Sequence, residues 1–239
     1  MKTTRIILAV VATLLFAACG EITKIEIKYE HPERYSVGDA TLNQPVGGIS
    51  VDWLFGDVDI LYTDNAEVRI YEEVKEGFGP LADSLRLRYC VDEEGELEIQ
   101  YCGNGRYRYG ELQKLDKHLY IEVPRDMALN DIDIDGVMTD VRIMHVLSRE
   151  VTVDGVKINV NADYPDSLPE EIDIDGVNCL LAINMKPTAG LTVEMTGVTP
   201  QLKCDLPSRK EDDKTIVGDG RCKVDAEGVN VKLIVSEMK

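Results

Sequence analysis

Asp131-Ile-Asp-Ile-Asp-Gly136 sets three carboxylates on alternate residues before a glycine, which is how an EF-hand loop begins its grip on calcium. Such a loop closes with a bidentate glutamate at its twelfth position. Counting from Asp131 that position is Arg142, and counting from Glu171 in the sister segment it is Ala182, so ligation of this type fails in both. Alternating aliphatic and acidic residues instead describe a strand with one face buried and one face wet. The same acids admit a second arrangement. If successive strands stack in register, Asp135, Asp154 and Asp175 stand in a column about 4.8 Å apart. Two carboxylates at that spacing repel by about 0.9 kcal/mol in water. Solvent, turn hydrogen bonds or a cation must offset this, and an Asp before Gly ordinarily bonds its own turn. Thr196 is expected to end the column, and Thr152 to interrupt its Asp133/Asp173 neighbour. No metal is assigned.

Chemistry that needs a base or a nucleophile finds less. His31, His118 and His145 lie in unrelated segments and are expected as surface or packing residues. Neither GxSxG nor HExxH occurs, and the many carboxylates have no distinctive spacing. The expectation is a protein that is not an enzyme and uses no cofactor. One loop stands out, Gly103-Asn-Gly-Arg-Tyr-Arg-Tyr-Gly-Glu111. Its Arg106, Tyr107, Arg108 and Tyr109 form a candidate binding loop, because guanidinium groups beside aromatic faces suit sugar rings, carboxylated glycans or an acidic segment of a partner. The plainer account is a solvated loop whose arginines offset nearby acids. Cys90, Cys102, Cys179, Cys204 and Cys222 are odd in number, so at least one thiol stays free or pairs between chains. Cys204 and Cys222 flank a polar loop that a disulfide could close; burial as apolar-like side chains accounts for them equally well.

These groups sit on a repeated frame. Ile132-Asp-Ile-Asp-Gly136-Val, Val151-Thr-Val-Asp-Gly155-Val, Ile172-Asp-Ile-Asp-Gly176-Val, Val193-Glu-Met-Thr-Gly197-Val and Val224-Asp-Ala-Glu-Gly228-Val share one pattern. Strand-like units recurring at about 20 residues predict an all-β chain, a single-stranded right-handed β-helix in which each repeat is one rung. Alternation puts Ile132 with Ile134, Val151 with Val153 and Ile172 with Ile174 on the buried face. The long gap before Gly228 implies an inserted loop, with Ser208-Arg-Lys-Glu-Asp-Asp-Lys214 as the exposed segment. Before the repeats, Ser84–Val91 and Glu96–Tyr101 flank Asp92-Glu-Glu-Gly95 as a hairpin insertion.

The ends and the charge bound location and partners. Lys2 and Arg5 precede the apolar run Ile6–Phe16, which is too short to span a bilayer as a helix and is read as a signal peptide over residues 1–18. Leu15-Phe-Ala-Ala-Cys19 resembles a bacterial lipobox, which makes Cys19 the lipidation site; an ordinary signal-peptidase site is the alternative. A lipidated tether over 19–45 and a β-solenoid domain over 46–239 complete the expected organisation. Without Lys2 and Arg5, 24 basic residues face 44 acidic ones, a net charge of −20. That excludes nucleic acid as a natural partner, since phosphate binding needs a basic surface.

Trp53-Leu-Phe-Gly-Asp-Val-Asp-Ile60, Leu119-Tyr-Ile-Glu-Val-Pro-Arg-Asp126 and the Asp-Gly-Val rungs resemble the adhesin-like β-strand-repeat lipoproteins, among them the adhesin head (GIN) domains abundant in Bacteroidetes. The resemblance covers residues 46–235 and implies a β-helix without active-site residues. It points to a lipid-anchored protein of the bacterial cell envelope, at the outer membrane, with a glycan, another envelope protein or its own copy as partner. A periplasmic structural or regulatory scaffold and a carbohydrate-active β-helix enzyme are the alternatives.

Overall fold

A computed structural model describes residues 24–75, 77–79 and 82–238. The expected signal peptide, Cys19 and the start of the expected tether lie outside these residues. Within them the chain is all-β apart from short helical turns. β1 (Ile25–Ile27), β2 (Ser36–Val37), β3 (Ala40–Leu42), β4 (Gly48–Trp53), β5 (Gly56–Thr63) and β6 (Val68–Val74) come first. Helix α1 (Ala82–Leu85) leads to β7 (Arg88–Val91), β8 (Glu96–Gln100) and β9 (Gly105–Tyr107); α2 (Tyr109–Lys114) leads to β10 (Lys117–Pro124). The repeats follow as β11 (Ala128–Met144), β12 (Leu147–Tyr164), β13 (Glu171–Val177), β14 (Leu180–Met185), β15 (Leu191–Met195) and β16 (Gln201–Cys204). β17 (Ser208–Glu211), β18 (Lys214–Val217), β19 (Cys222–Val229) and β20 (Lys232–Glu237) end the chain.

Strands that precede each Gly-Val corner form one ribbon, and strands that follow it form a second. In the first, β8, β4, β11, β12, β13, β19 and β15 run parallel in that order. In the second the parallel order is β10, β5, β11, β12, β14, β20, β16. Aliphatic columns fill the interior: Ile132, Val151, Ile172, Val224 and Val193 are all at most 2% exposed, as are Val141, Val160, Leu181 and Leu233. Each such side chain contributes about 1.5–3 kcal/mol by leaving water. No single rung could bury that face alone, so the stack is the unit of stability.

The stacking order differs from the order in sequence. Gly136 pairs with Gly155 and Gly155 with Gly176, as expected, but Gly176 then pairs with Gly228. The last repeat is slotted between the third and the fourth: β19 lies between β13 and β15, and β20 between β14 and β16. Glu227, rather than Thr196, therefore follows Asp175 in the acidic column. The segment 208–214, expected as an exposed loop, is largely the β17–β18 hairpin, which pairs antiparallel onto β15 and caps that end of the ribbon. All four residues of β17, Ser-Arg-Lys-Glu, are exposed, and charge is what keeps an outer edge from recruiting another strand.

The corner itself accounts for the glycine that recurs in each repeat. Two residues past each glycine the backbone is left-handed, at Met138, Lys157, Asn178, Thr199 and Asn230. Rungs then approach so closely that a Cβ on Gly155 would stand 1.9 Å from the Gly136 carbonyl oxygen, and one on Gly176 2.0 Å from that of Gly155. The asparagines suit their left-handed positions, and Asn230 Nδ2 of the inserted rung donates to Asn178 Oδ1 of the adjacent rung at 2.6 Å.

At the other end the stack is closed by antiparallel strands. The hairpin β7–β8 forms around Asp92–Gly95 as expected, with Val91 opposite Leu97. It is an integral layer as well as a hairpin, because β8 pairs parallel with β4. The segment expected as a tether is packed from Ile25 onward: β1 pairs with β9, β2 with β7 and β3 with β6, and Ile25, Ile27 and Tyr29 are buried. Beneath them Trp53 and Tyr101 meet edge to face, 4.9 Å between centroids, and the fully buried Lys117 lies 4.4 Å from the Tyr101 ring.

Candidate functional site

The Arg-Tyr loop divides into an inner and an outer half. Arg106 and Tyr107 belong to β9, opposite Glu26 and Ile25. The outward Arg106 reaches Glu26 at 3.2 Å. Tyr107 is buried, and its hydroxyl donates within reach of the Gly103 and Ser84 carbonyls at 2.7 and 3.1 Å. Arg108 opens α2 and pairs with Glu111 at 3.7 Å, while Tyr109 meets Phe55 edge to face at 5.3 Å. The structure thus commits Tyr107 to the core, half-buries Tyr109 and leaves two arginines outside, so the four do not converge on one surface.

A denser grouping lies on the outward face of the second ribbon, among residues the sequence did not single out as a set. Alternation along β10 turns His118, Tyr120 and Glu122 outward. Antiparallel β6 sets Glu73, Tyr71 and Arg69 directly opposite them. Parallel β5 adds Asp57 and Asp59 beside His118 and Tyr120, and β11 adds Asp140 and Arg142 beside those. The rings of Tyr71 and Tyr120 stack at 4.8 Å, and those of Tyr120 and His118 at 4.0 Å. Arg69 lies over Tyr71 at 5.4 Å and pairs with Glu122 at 3.3 Å, and the Tyr71 hydroxyl also donates to Glu122 at 3.3 Å.

At the centre is Asp59, only 2% exposed although it points outward. Arg142 covers it with a two-pronged contact, Nε donating to Oδ1 at 2.6 Å and Nη2 to Oδ2. Such a planar fork holds both groups rigid. His118 Nε2 is 3.0 Å from Asp59 Oδ2, at ion-pair distance but not aligned as a hydrogen bond. Its Nδ1 is 3.0 Å from the Tyr120 hydroxyl. Tyrosine, histidine and aspartate in a row suggest a proton relay, yet both phenols are held above their ordinary pKa. Burial does this first, with the negative charge of Glu73 and Asp59 adding at Tyr120 and that of Glu122 at Tyr71. A tyrosine serving as nucleophile or base needs the opposite shift. Here the hydroxyls stay protonated and serve as hydrogen-bonding groups. His145, in another segment, stacks on Tyr62 at 5.2 Å, and His31 pairs with Glu33 at 3.5 Å on the surface.

The first ribbon carries the acidic column on its outward face. Asp52, Asp135, Asp154, Asp175 and Glu227 follow one another in register. Alongside run Asp133, Thr152, Asp173 and Asp225. Burial, reinforced by neighbouring carboxylates, pushes Asp52 up to about 7, Asp133 to about 6 and Asp135 to about 8. Asp154 and Asp173 are raised for the same reasons. Lys223 neutralises the far end, 2.6 Å from Glu171 and 2.5 Å from Asp225. Glu150, Glu171 and Asp173 each bring a carboxylate oxygen within 4.8 Å of the others, so they could hold a cation, but Lys223 already supplies positive charge there.

The column has a consequence for stability. An unfolded aspartate titrates near pH 3.9. Above that pH the unfolded chain has released protons that the native Asp52, Asp133 and Asp135 still hold. The native state therefore binds more protons between about pH 4 and pH 8, and stability falls as pH rises through this window. Tm measured at pH 5 is expected to exceed Tm at pH 8.5. Asp135→Asn should raise the value at pH 8.5 and flatten the difference; an unchanged slope would show that the column does not couple to folding.

The cysteines Cys90, Cys102, Cys179, Cys204 and Cys222 are all free thiols, and all but Cys204 are buried. Burial pushes Cys90 and Cys179 up to about 11 and Cys102 and Cys222 up to about 12, so they are poor nucleophiles near neutrality.

No family model matches the chain, and no curated protein matches it in sequence. Among solved structures it is similar to a putative cell adhesion protein from Clostridium sporogenes ATCC 15579. The TM-score is 0.59 at 11% identity, over 85% of this chain and 100% of that one. The chain has an adhesin-like fold. It is also similar to a putative adhesin from Bacteroides fragilis NCTC 9343, with a TM-score of 0.38 at 11% identity over 86% of this chain and 98% of the other.

Proposed function

We propose that this protein is a non-enzymatic, adhesin-like envelope protein. In this reading it is a β-solenoid of the GIN-like kind, anchored at the outer membrane through a lipid on Cys19, and it binds glycan on the outward face of the second ribbon. The observation that carries the reading is the rigid row of Tyr71, Tyr120 and His118, fixed from below by Asp59 and Arg142 and flanked by Arg69 and Glu122. Stacked rings among oriented guanidinium and carboxylate groups meet the apolar faces and hydroxyls of a sugar without reorganising on binding. Their protonated phenols favour recognition over turnover.

A glycan array probed with the protein is expected to give a defined set of hits. Tyr120→Ala should weaken the strongest by about tenfold or more, the cost of one well-packed aromatic contact. A uniformly blank array would remove the glycan reading and favour an envelope-protein partner or a scaffold. Labelling of intact cells with and without Cys19→Ala tests the anchor: loss of membrane association in the variant supports it.

A further inference from the structure

Each rung turns its corner through a Gly-Val pair, and the valines stand in register as a column of their own. Val137 pairs with Val156, Val156 with Val177 and Val177 with Val229, and a last bridge joins Val229 to Val198. Exposure rises along this column. Val137 is fully buried, Val156 and Val177 are half-buried, and Val229 and Val198 are 45% and 60% exposed. Among the described residues only Val37 and Leu147 join those two as exposed large hydrophobics. A single exposed valine is ordinary, but neighbours about 4.8 Å apart make a continuous apolar stripe. At the levels of Gly136, Gly155, Gly176 and Gly228 the acidic column runs one glycine away, so each rung there carries acid, bare backbone and valine in turn.

Charge and backbone bonding narrow the occupant of the stripe. Burial, and then the charge of Asp175, hold Asp154 above the ordinary carboxylate range. Lys223 is already committed to Glu171 and Asp225, and of the five left-handed residues beyond the valines only Lys157 is basic. The apolar stripe thus runs beside carboxylates that lack positive charge. A second copy would bring its own acidic column, and an anionic lipid surface would bring more negative charge. An extended strand has no edge to join here, because corner amides already bond from rung to rung. Asn178 N donates to Val229 O, Val198 N to Gly228 O and Asn230 N to Val198 O. A helix satisfies its own backbone and reads a surface with side chains alone. Its pitch of about 5.4 Å brings one turn to nearly every rung. The chain itself places a helix at the first level, where α2 begins with Tyr109 and that hydroxyl lies 3.6 Å from the Met138 sulfur.

We propose that the stripe of Val156, Val177, Val229 and Val198 docks a basic amphipathic helix of a partner protein. The apolar face of that helix lies on the valines, and its lysines or arginines meet Asp154, Asp175 and Glu227. This surface shares no residue with the aromatic row on the second ribbon and stands whether or not that row binds glycan.

The probe is a fluorescein-labelled, hydrocarbon-stapled helix of about 14 residues, long enough to follow the stripe, with leucines on one face and lysines beside them. Fluorescence anisotropy against the protein is expected to show saturable binding that weakens as salt is raised. Glutamates in place of the lysines should lower affinity by about tenfold or more, as should scrambling that leaves no apolar face. Val198→Thr/Val229→Thr keeps β-branched residues at exposed positions, so its Tm should stay unchanged. The same variant should bind about tenfold more weakly, because docking would now bury two hydroxyls. Asp175→Asn/Glu227→Gln should weaken binding at low salt only, and Tyr120→Ala should leave it intact. Absence of saturable binding by the leucine-lysine helix overturns the proposal. So does binding that the valine variant leaves unaltered, which is adsorption to an acidic protein rather than docking on the stripe.

Discussion

Gly155→Ala is expected to destabilise the protein by about 3–5 kcal/mol in urea unfolding followed by circular dichroism. Two costs combine. Gly155 sits at φ 144, where an L side chain is strained, and its new Cβ would stand 1.9 Å from the Gly136 carbonyl oxygen. That oxygen belongs to the backbone of the neighbouring rung, so relief requires the rungs themselves to separate. Gly136→Ala makes the internal control. Gly136 is not at positive φ, and its Cβ would meet side chains rather than backbone, the tip of Ile158 at 2.9 Å, which can yield, and Thr139 Cβ at 3.3 Å. It also stands in register with Trp53 of the preceding rung, so this level already accommodates a side chain. Its cost should stay near about 1 kcal/mol, offset in part by the entropy the unfolded chain loses. Equal destabilisation by the two variants would mean that carbonyl approach is not what selects glycine in the column.

That contrast shows what the sequence could and could not disclose. The pattern of aliphatic, acid, aliphatic, acid, glycine, valine identified the rungs, their corner and their inward faces, because each property is local to one strand. Order is not local. Val224-Asp-Ala-Glu-Gly228 satisfies the same template as Val193-Glu-Met-Thr-Gly197, so either repeat fits against Ile172 by hydrophobic pattern alone. The choice falls to the end of the stack, where β17 and β18 cap β15 and the chain must then return inward. The aromatic row on the second ribbon was hidden for a related reason. His118, Tyr120 and Glu122 alternate legibly on one strand, but Tyr71 and Arg69 reach them only through an antiparallel pairing across a long stretch of chain. The Arg-Tyr loop misled in the opposite sense. Its composition suits an exposed binding loop, and only the pairing of β9 with β1 shows that Tyr107 faces inward.

Lys117→Met is expected to cost about 3–5 kcal/mol, the usual consequence of removing one member of a buried ion pair. Lys117 is fully buried, and its ammonium is 2.6 Å from Glu72 Oε2. It also donates to the Leu85 carbonyl at 2.9 Å and the Tyr101 carbonyl at 2.5 Å. Burial pulls its pKa below the ordinary value while the Glu72 charge opposes that pull, so the lysine depends on its partner to stay ionised. Methionine fills similar volume but leaves Glu72, among the described residues, with the Leu87 amide at 2.8 Å and a distant Arg86 at 3.8 Å. The double variant Lys117→Met/Glu72→Leu should recover most of the loss, because it removes both charges from the space under Trp53 and Tyr101. A residual cost is expected even so, since the Leu85 and Tyr101 carbonyls lose their donor. The four stabilities of this cycle decide the matter. Strong recovery in the double variant shows that the pair's role is to satisfy itself. Additive losses would instead mean that the two side chains act separately, with Lys117 stabilising the helix-to-strand junction through its carbonyl contacts alone.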